Sequence, residues 1–210
     1  MMHNQGNLGI TAGILLIIFI LIGAVAGSVI INGTQNVSDL DLTKITNDVL
    51  DEITTYLQVK NVIGKYENIQ GKQSIQKIAI FIKPLVSIDI DIAKIRIMIS
   101  NGEDLRILFY SGQAASINSY SLFNHPLWDS MNEDTYSLIS TVDDDSSMEQ
   151  YHTMNKNTDM AFIILKLPTN ATLVYGESLQ ITLMPSPGNE CTITLEPPIP
   201  TTHVVSLYGY

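Results

Sequence analysis

The side chains that could carry out chemistry are few and scattered along this sequence. Four histidines occur, and no two of them have the i, i+4 spacing that places two metal ligands on one helix face: His3, His125, His152 and His203. The sequence has neither the Gly-x-Ser-x-Gly motif of a nucleophilic serine nor a glycine-rich phosphate loop. Isolated histidines in such a setting are usually structural or exposed. The sequence therefore gives no support to an enzyme.

Three consecutive carboxylates, Asp143, Asp144 and Asp145, form the densest run of charge in the chain. Adjacent carboxylates attract hard divalent cations such as Ca²⁺ and Mg²⁺, so this run is the one candidate for a metal site. Its spacing does not match an EF-hand loop, and we interpret the run first as a solvated surface loop.

Three Asn-x-Ser/Thr sequons could accept N-glycans, and they begin at Asn32, Asn36 and Asn170. The tripeptide is common by chance, so it indicates glycosylation only in a chain that is exported. The first two sequons flank the end of a long apolar segment, and the third lies in a turn between two predicted strands, where a glycan would be exposed. An N-glycan and a divalent cation are the only non-protein groups that the sequence suggests.

The apolar segment covers residues 8–31, LGITAGILLIIFILIGAVAGSVII, without one charged side chain. As a helix it would extend about 36 Å, enough to cross the core of a bilayer. A helix that is apolar on all sides must be buried in lipid or in other protein. A cleaved secretory signal has a shorter apolar stretch and a basic start, whereas no Lys or Arg precedes Lys44 here. We therefore expect the mature protein to keep this helix.

Two short features of the N-terminus refine this expectation. If a leader is removed, the better position is before the apolar segment, after Gly6 in MMHNQG, which leaves Asn7 as the new terminus. Within the segment, glycines recur four residues apart in two pairs, Gly9 with Gly13 and Gly23 with Gly27. Small residues at that spacing let helix backbones approach closely, so the pattern favours association between helices.

Composition excludes some partners and some sources of stability. The net charge is −10 over 210 residues, which argues against nucleic acid because phosphate binding needs basic patches. The single cysteine, Cys191, cannot form an intramolecular disulfide, so the folded part must be held together by packing.

Hydrophobic periodicity divides the rest of the chain. After the apolar segment, apolar residues recur at spacings of three or four: Leu42, Ile45, Val49, Ile53 and Tyr56. This spacing extends the predicted helix, and we assign it residues 7–59. Residues 60–74 contain Gly64 and Gly71 without a steady period, which predicts a linker.

Residues 75–210 change to a period of two, which predicts an antiparallel β-sandwich. The predicted strands are 88–92, 95–99, 105–110, 160–167, 179–184, 191–195 and 203–207, with a hairpin turn at Asn101-Gly102. The polar stretch 111–158, which holds the only tryptophan, Trp128, is predicted to be an irregular surface excursion.

Both ends of the sequence resemble those of archaellins, the archaeal flagellins. Asn7-Leu8-Gly9-Ile10 and Val29-Ile30-Ile31-Asn32 resemble the two ends of the family's N-terminal helix. The stretch IDIDIAKIRIMISNG at 88–102 resembles a strand of the family, and residues 160–210 resemble its closing pattern of strands, Pro-x-x-Gly turn and Val-x-Leu. One departure is the leader, which has His3-Asn4-Gln5 where the family usually carries Lys or Arg before the cut.

The resemblance implies an α+β protein in which a long apolar helix precedes an immunoglobulin-like β-sandwich, often N-glycosylated. It implies removal of residues 1–6 by a prepilin-type peptidase, and self-assembly, alone or with other archaellins, into the extracellular filament of the archaellum. Before assembly the helix would lie in the membrane, and an assembly platform with an ATPase would extract it.

Two other functions stay open at this point. A non-rotating adhesive pilin would share the helix and the sandwich, and rotation depends on a motor that this sequence does not describe. A membrane-anchored accessory protein of the envelope would keep the helix without forming a polymer. Detergent separates these classes, because an anchored monomer dissolves while a filament pellets intact.

Overall fold

The structure is a computed structural model that describes residues 57–69, 71–118, 120–169, 171–186 and 188–209, together with Leu16. Leu16 is helical and exposed. The chain divides into two compact units, Met1–Leu50 and Asp51–Tyr210. The rest of the predicted helix, its apolar stripe at 42–56 and the leader lie outside the described residues. Among the described residues, no helix has the length and apolar character needed to cross a membrane.

The described part of Asp51–Tyr210 consists mainly of strands. In chain order these are β1 (Leu57–Ile69), β2 (Lys72–Pro84), β3 (Ile90–Asp91), β4 (Arg96–Ser100), β5 (Leu105–Ser116), β6 (Thr135–Val142), β7 (Thr153–Met154), β8 (Met160–Lys166), β9 (Leu179–Met184), β10 (Cys191–Leu195) and β11 (Val204–Tyr208). The helical elements are short, namely 3-10 turns at Ile92–Lys94 and Leu122–Asn124 and α-helical turns at Leu127–Ser130 and Ser147–Gln150.

Nine strands form one continuous sheet in the order β10-β9-β4-β5-β6-β8-β2-β1-β11, and β3 pairs with β7 separately. Strand β5 joins the two halves of this sheet, since residues 105–108 pair with β4 and residues 109–116 pair with β6. The register shifts in the second part of β5, where Gly112 takes a φ of 79° that suits glycine. The sheet is not wholly antiparallel as predicted, because β5 and β6 run parallel.

The two halves of the sheet share one hydrophobic core. Alternate side chains of their strands are buried in it: Ile78, Ile80, Ile82, Tyr136, Leu138, Ile163 and Leu165 from one half, and Ile97, Ile99, Leu108, Ile181, Leu183 and Ile193 from the other. The end strands β10 and β11 also come close to each other. This arrangement is the predicted β-sandwich, and Cys191 is a free thiol in it, so packing holds the domain together.

The first hairpin corrects the predicted linker at 60–74 and the predicted helix at 57–59. Strands β1 and β2 pair along their whole length, from Leu57 opposite Pro84 to Ile69 opposite Lys72. Gly71, at φ 83°, lies in the turn, and Gly64 lies inside β1. A Cβ on Gly64 would stand 2.8 Å from the Ile75 side chain, so this inward position needs glycine. Because Gly64 interrupts the apolar alternation, the sequence pattern does not predict β1.

The predicted excursion at 111–158 is also corrected. It contains β6, which lies in the middle of the sheet between β5 and β8. Its buried residues include Ser137 and Ser140 beside Tyr136 and Leu138. Because buried serines stand among the apolar residues, the segment looks polar in sequence although it is a central strand. Among the described residues, 117–134 and 143–152 contain no strand, as predicted.

Several predicted strands are confirmed. The bounds of β9 and β10 agree residue for residue with 179–184 and 191–195, and β4, β8 and β11 lie within one residue of their predicted ends. The turn at Asn101-Gly102 joins β4 to β5, and the Asn101 side chain accepts hydrogen bonds from the backbone N–H groups of Glu103 and Asp104. The alternation at 88–92 gives only the two-residue β3, followed by a 3-10 turn.

Candidate assembly surfaces

Most of the site residues predicted from the sequence lie outside the described residues. These are the leader residues Gly6 and Asn7, the helix-packing residues Gly9, Gly13, Gly23 and Gly27, and the sequon residues Asn32, Asn36 and Asn170. Around the third sequon, Thr169 is exposed and the Ala171 N–H donates to the Pro168 carbonyl at 2.9 Å. This hydrogen bond lies shortly after the end of β8.

The acidic run holds a loop together. The Asp143 carboxylate accepts hydrogen bonds from the N–H groups of Ser147 (3.0 Å) and Met148 (3.1 Å), which begin the helical turn Ser147–Gln150. The Asp145 carboxylate pairs with Lys156 Nζ at 2.9 Å and accepts from Asn155 Nδ2 at 3.1 Å. Two of the three carboxylates are therefore engaged with donors of the chain itself.

The pKa values of Asp143 and Asp145 are shifted in opposite directions. Hydrogen bonds from Lys156 and Asn155 hold the pKa of Asp145 well below its usual range. Partial burial raises the pKa of Asp143 despite its backbone donors. Within the part of the chain that the structure describes, no group of three or more His, Cys, Asp or Glu side chains is placed to hold a metal ion.

The described histidines make separate structural contacts. The buried His125 accepts at Nδ1 from the Leu127 N–H, and its Nε2 lies 3.3 Å from the Ser116 carbonyl. His152 Nδ1 lies 2.9 Å from the Tyr110 hydroxyl, and burial raises the pKa of that phenol. His203 is exposed.

One apolar surface on the outer face of the sheet is covered by the chain itself. Side chains of the crossover, Phe123, Trp128 and Met131, pack on Ala79, Ile139 and Ile164, which point away from the main core. We call this set the covered face. The Trp128 indole N–H donates to the Leu122 carbonyl at 2.8 Å, and its ring stacks on Phe123 with centroids 5.8 Å apart. Lys77 Nζ lies 5.5 Å from the centre of the same ring.

A second apolar surface on the outer face is open to solvent. Three alternate side chains of β5 are exposed there, Leu105 by 60 %, Ile107 by 44 % and Phe109 by 50 %. We call these three residues the β5 strip. The intervening Leu108 points into the main core, so β5 is apolar on both faces. Contiguous exposed apolar side chains of this size are typical of interaction surfaces.

Neither surface is predicted by the sequence patterns described above. The segment LRILFY at 105–110 does carry a signal, because large apolar residues stand at both odd and even positions where neighbouring strands alternate with polar ones. The alternation alone does not show which apolar region of the outer face is covered. The residues that cover it belong to the crossover 117–134, which has no hydrophobic periodicity.

Comparison with known proteins identifies the family. A family model described as archaeal-type flagellin matches residues 6–203, which includes the apolar segment and nearly all of the sandwich. The chain belongs to this family. It is a family of structural filament proteins and not of enzymes.

Individual members of the archaeal-type flagellin family agree with this assignment. Flagellin B3 of Methanocaldococcus jannaschii is 30% identical over 158 residues, 72% of this chain and 71% of the relative. Flagellin B3 of Thermococcus kodakarensis is 24% identical over 195 residues, 79% of this chain and 75% of the relative. The crystal structure of archaeal flagellin FlaB1 from Methanocaldococcus jannaschii superposes with a TM-score of 0.64 at 21% identity, over 73% of this chain and 97% of that one. The β-sandwich is thus the fold of a known archaeal flagellin.

Proposed function

We propose that this protein is a structural subunit of the archaellum, an extracellular helical filament that rotates for swimming. The observation that carries the proposal is the family match over residues 6–203, which spans the apolar N-terminal segment and nearly all of the sandwich. The part of the predicted helix that precedes β1, residues 7–56, would form the filament core, and the sandwich would face outwards. The filament would contain this subunit alone or together with other archaellins.

The apolar segment supplies the driving force in this proposal. About fifteen large apolar side chains lie in residues 8–31, and at roughly 1.5–3 kcal/mol each their burial contributes a gross gain on the order of 20–45 kcal/mol per subunit. Ordering and association costs reduce this gain, yet release of a subunit into water stays very unfavourable. Such a filament does not lose subunits spontaneously.

The same segment accounts for the proposed steps before assembly. In a bilayer the helix is as well solvated as in a filament core, so a membrane-inserted precursor is stable. Transfer from lipid to filament is then nearly neutral in hydrophobic energy, and we propose that an ATPase and a membrane platform supply the work of extraction. A prepilin-type peptidase would cut between Gly6 and Asn7 and leave the helix in place.

The groups on the outer surface remain proposals of the same kind. We propose that Asn170 carries an N-glycan, because the neighbouring Thr169 is exposed, and that Asn32 and Asn36 are further acceptors. A divalent cation near Asp144 would have to share the loop with the donors that already hold Asp143 and Asp145. An adhesive pilin or an anchored envelope protein are the alternatives to an archaellin of the rotating filament.

Variants of the small-residue pairs test the assembly of the full chain. We expect Gly23→Leu to abolish filaments sheared from cells, because a large side chain holds neighbouring helices apart, while Gly23→Ala assembles normally. Electron microscopy and pelleting in mild detergent give the readout, and peptide masses of the same filaments should begin at Asn7. Normal filaments from Gly23→Leu would contradict the helix contact. A wild-type chain that dissolves completely in detergent would contradict the filament itself.

A further inference from the structure

The β5 strip has the chemistry of a contact between copies of this chain. Resting on the proposed function, we propose that Leu105, Ile107 and Phe109 of one outer domain pack against the outer domain of a neighbouring copy in the filament. The contact lies far along the chain from the apolar segment that would build the filament core. It would couple the outer domains to each other.

The strip belongs to a wider apolar surface across two strands. In the β4–β5 register, Met98 stands opposite Ile107, and Ser100 stands opposite Leu105. Met98 is half-buried and points to the same outer face as Ile107. Farther along the same face, β9 and β10 present polar side chains, with the hydroxyls of Thr182 and Thr192 2.9 Å apart. Apart from Met184 at the end of β9, the apolar side chains of this face therefore lie on the β4–β5 side.

One end of the strip is held in a fixed geometry by an arginine. The Arg96 guanidinium lies over the Phe109 ring, 5.0 Å from its centre. It is anchored by hydrogen bonds from Nη1 to the carbonyls of Ala93 (2.8 Å) and Ile95 (3.2 Å). None of the ion pairs among the described residues involves Arg96. A fixed arginine beside an exposed aromatic ring is the side-chain combination that concentrates binding energy at interfaces.

The size of the surface and the charge of the chain favour a second copy as the occupant. The three side chains of the strip and Met98 are far fewer than the roughly 20–30 residues a side of a stable standard interface, so this surface alone would not hold a freely diffusing partner. A polymer built through the N-terminal segment places outer domains side by side at high effective concentration, which makes a small contact sufficient. The chain carries 21 acidic against 11 basic residues, so a copy readily offers the unpaired Arg96 a carboxylate.

The contact should join two different surfaces. Subunits related by one rotation and one rise meet head to tail, and such heterologous contacts repeat without closing. The strip of one copy then faces another region of the next copy, and a mutation of the strip affects every interface along the filament.

Site-specific photo-crosslinking of full-length filaments tests the proposal. A benzophenone amino acid replaces Ile107 in one variant and Ile199, 61 % exposed and outside the strip, in the matched control. After irradiation of sheared filaments, we expect severalfold more dimer of this chain from position 107 than from position 199, and the crosslinked peptides should come from this chain. Equal yields at both positions would overturn the proposal. Crosslinks from position 107 to another protein, a lipid or a glycan would overturn it as well.

A charge substitution gives an independent measurement on the same filaments. We expect Ile107→Lys to shorten the filaments or lower their melting temperature, and Ile199→Lys to leave both unchanged. Circular dichroism of the unassembled chains in detergent checks that both variants fold. Wild-type stability in Ile107→Lys filaments overturns the contact but leaves the filament subunit intact. If the wild-type chain forms no filament, the result contradicts the proposed function itself and not only the contact at the strip.

Discussion

The covered face and the β5 strip lie on the outer face of one continuous sheet, and both are built from large apolar side chains. Ala79, Ile139 and Ile164 of the covered face are fully buried beneath Trp128. Ile107 and Phe109 of the strip are about half exposed. The difference is the crossover segment 117–134. Its apolar side chains pack over the covered face, whereas at the strip its last residue gives a backbone contact, in which the Phe109 N–H donates to the Asp134 carbonyl at 3.2 Å.

Topology explains why a cover exists at all. Parallel neighbours such as β5 and β6 cannot be joined by a tight hairpin, so the chain must make a longer connection across the sheet. The apolar residues of this connection make the covered face a second small core inside the domain. No described segment packs over the β5 strip in the same way. One apolar surface thus serves folding, whereas the other stays open for the contact proposed above.

The largest expected effect comes from removing the cover. Trp128→Ala deletes a ring that is 2 % exposed, together with its bond to the Leu122 carbonyl and its stacking on Phe123. We expect the free energy of unfolding to fall by about 3–5 kcal/mol and the melting temperature by about 10 °C. Thermal circular dichroism of the full chain in mild detergent measures this, with Trp128→Phe as the milder control. A shift of only about 2 °C would show that the cover is not part of the folded core.

The smallest expected effect on folding comes from the strip. Ile107→Thr keeps a β-branched residue at an already half-exposed position, so the free energy of unfolding should change by no more than about 0.5 kcal/mol. The same circular dichroism experiment should show nearly the wild-type transition, while the yield of intact filaments falls. A loss of stability as large as that of Trp128→Ala would mean that the strip belongs to the core of its own domain.

Strands with strict alternation could be predicted from the sequence. In β4, β9 and β10 the inward positions are occupied by Ile or Leu, with Cys191 as the exception, and the outward positions by less apolar residues, so the pattern predicts their bounds to within a residue. The turn at Asn101-Gly102 was predicted for the same reason, since its conformation follows from local side-chain chemistry.

The hairpin β1–β2, strand β6 and the site surfaces could not be predicted in this way. Gly64 and Ser137 occupy buried strand positions without apolar side chains, one because Ile75 leaves no space for a Cβ and the other because its hydroxyl pairs with Ser111 at 2.7 Å. Which face of β5 stays open depends on the path of a crossover that has no periodic signal. These features depend on tertiary contacts, and the periodicity of the sequence carries no information about such contacts.

Hydroxyl-radical footprinting of the full chain, assembled in filaments and unassembled in detergent, tests most directly the claim that the two surfaces have different purposes. Mass spectrometry reads the oxidation of each side chain. We predict that Phe109 and Met98 lose most of their reactivity on assembly, that Trp128 reacts little in both states, and that Tyr151, 72 % exposed, serves as the exposed reference. Equal reactivity of Phe109 in the two states, or protection of Trp128 only after assembly, would contradict the account.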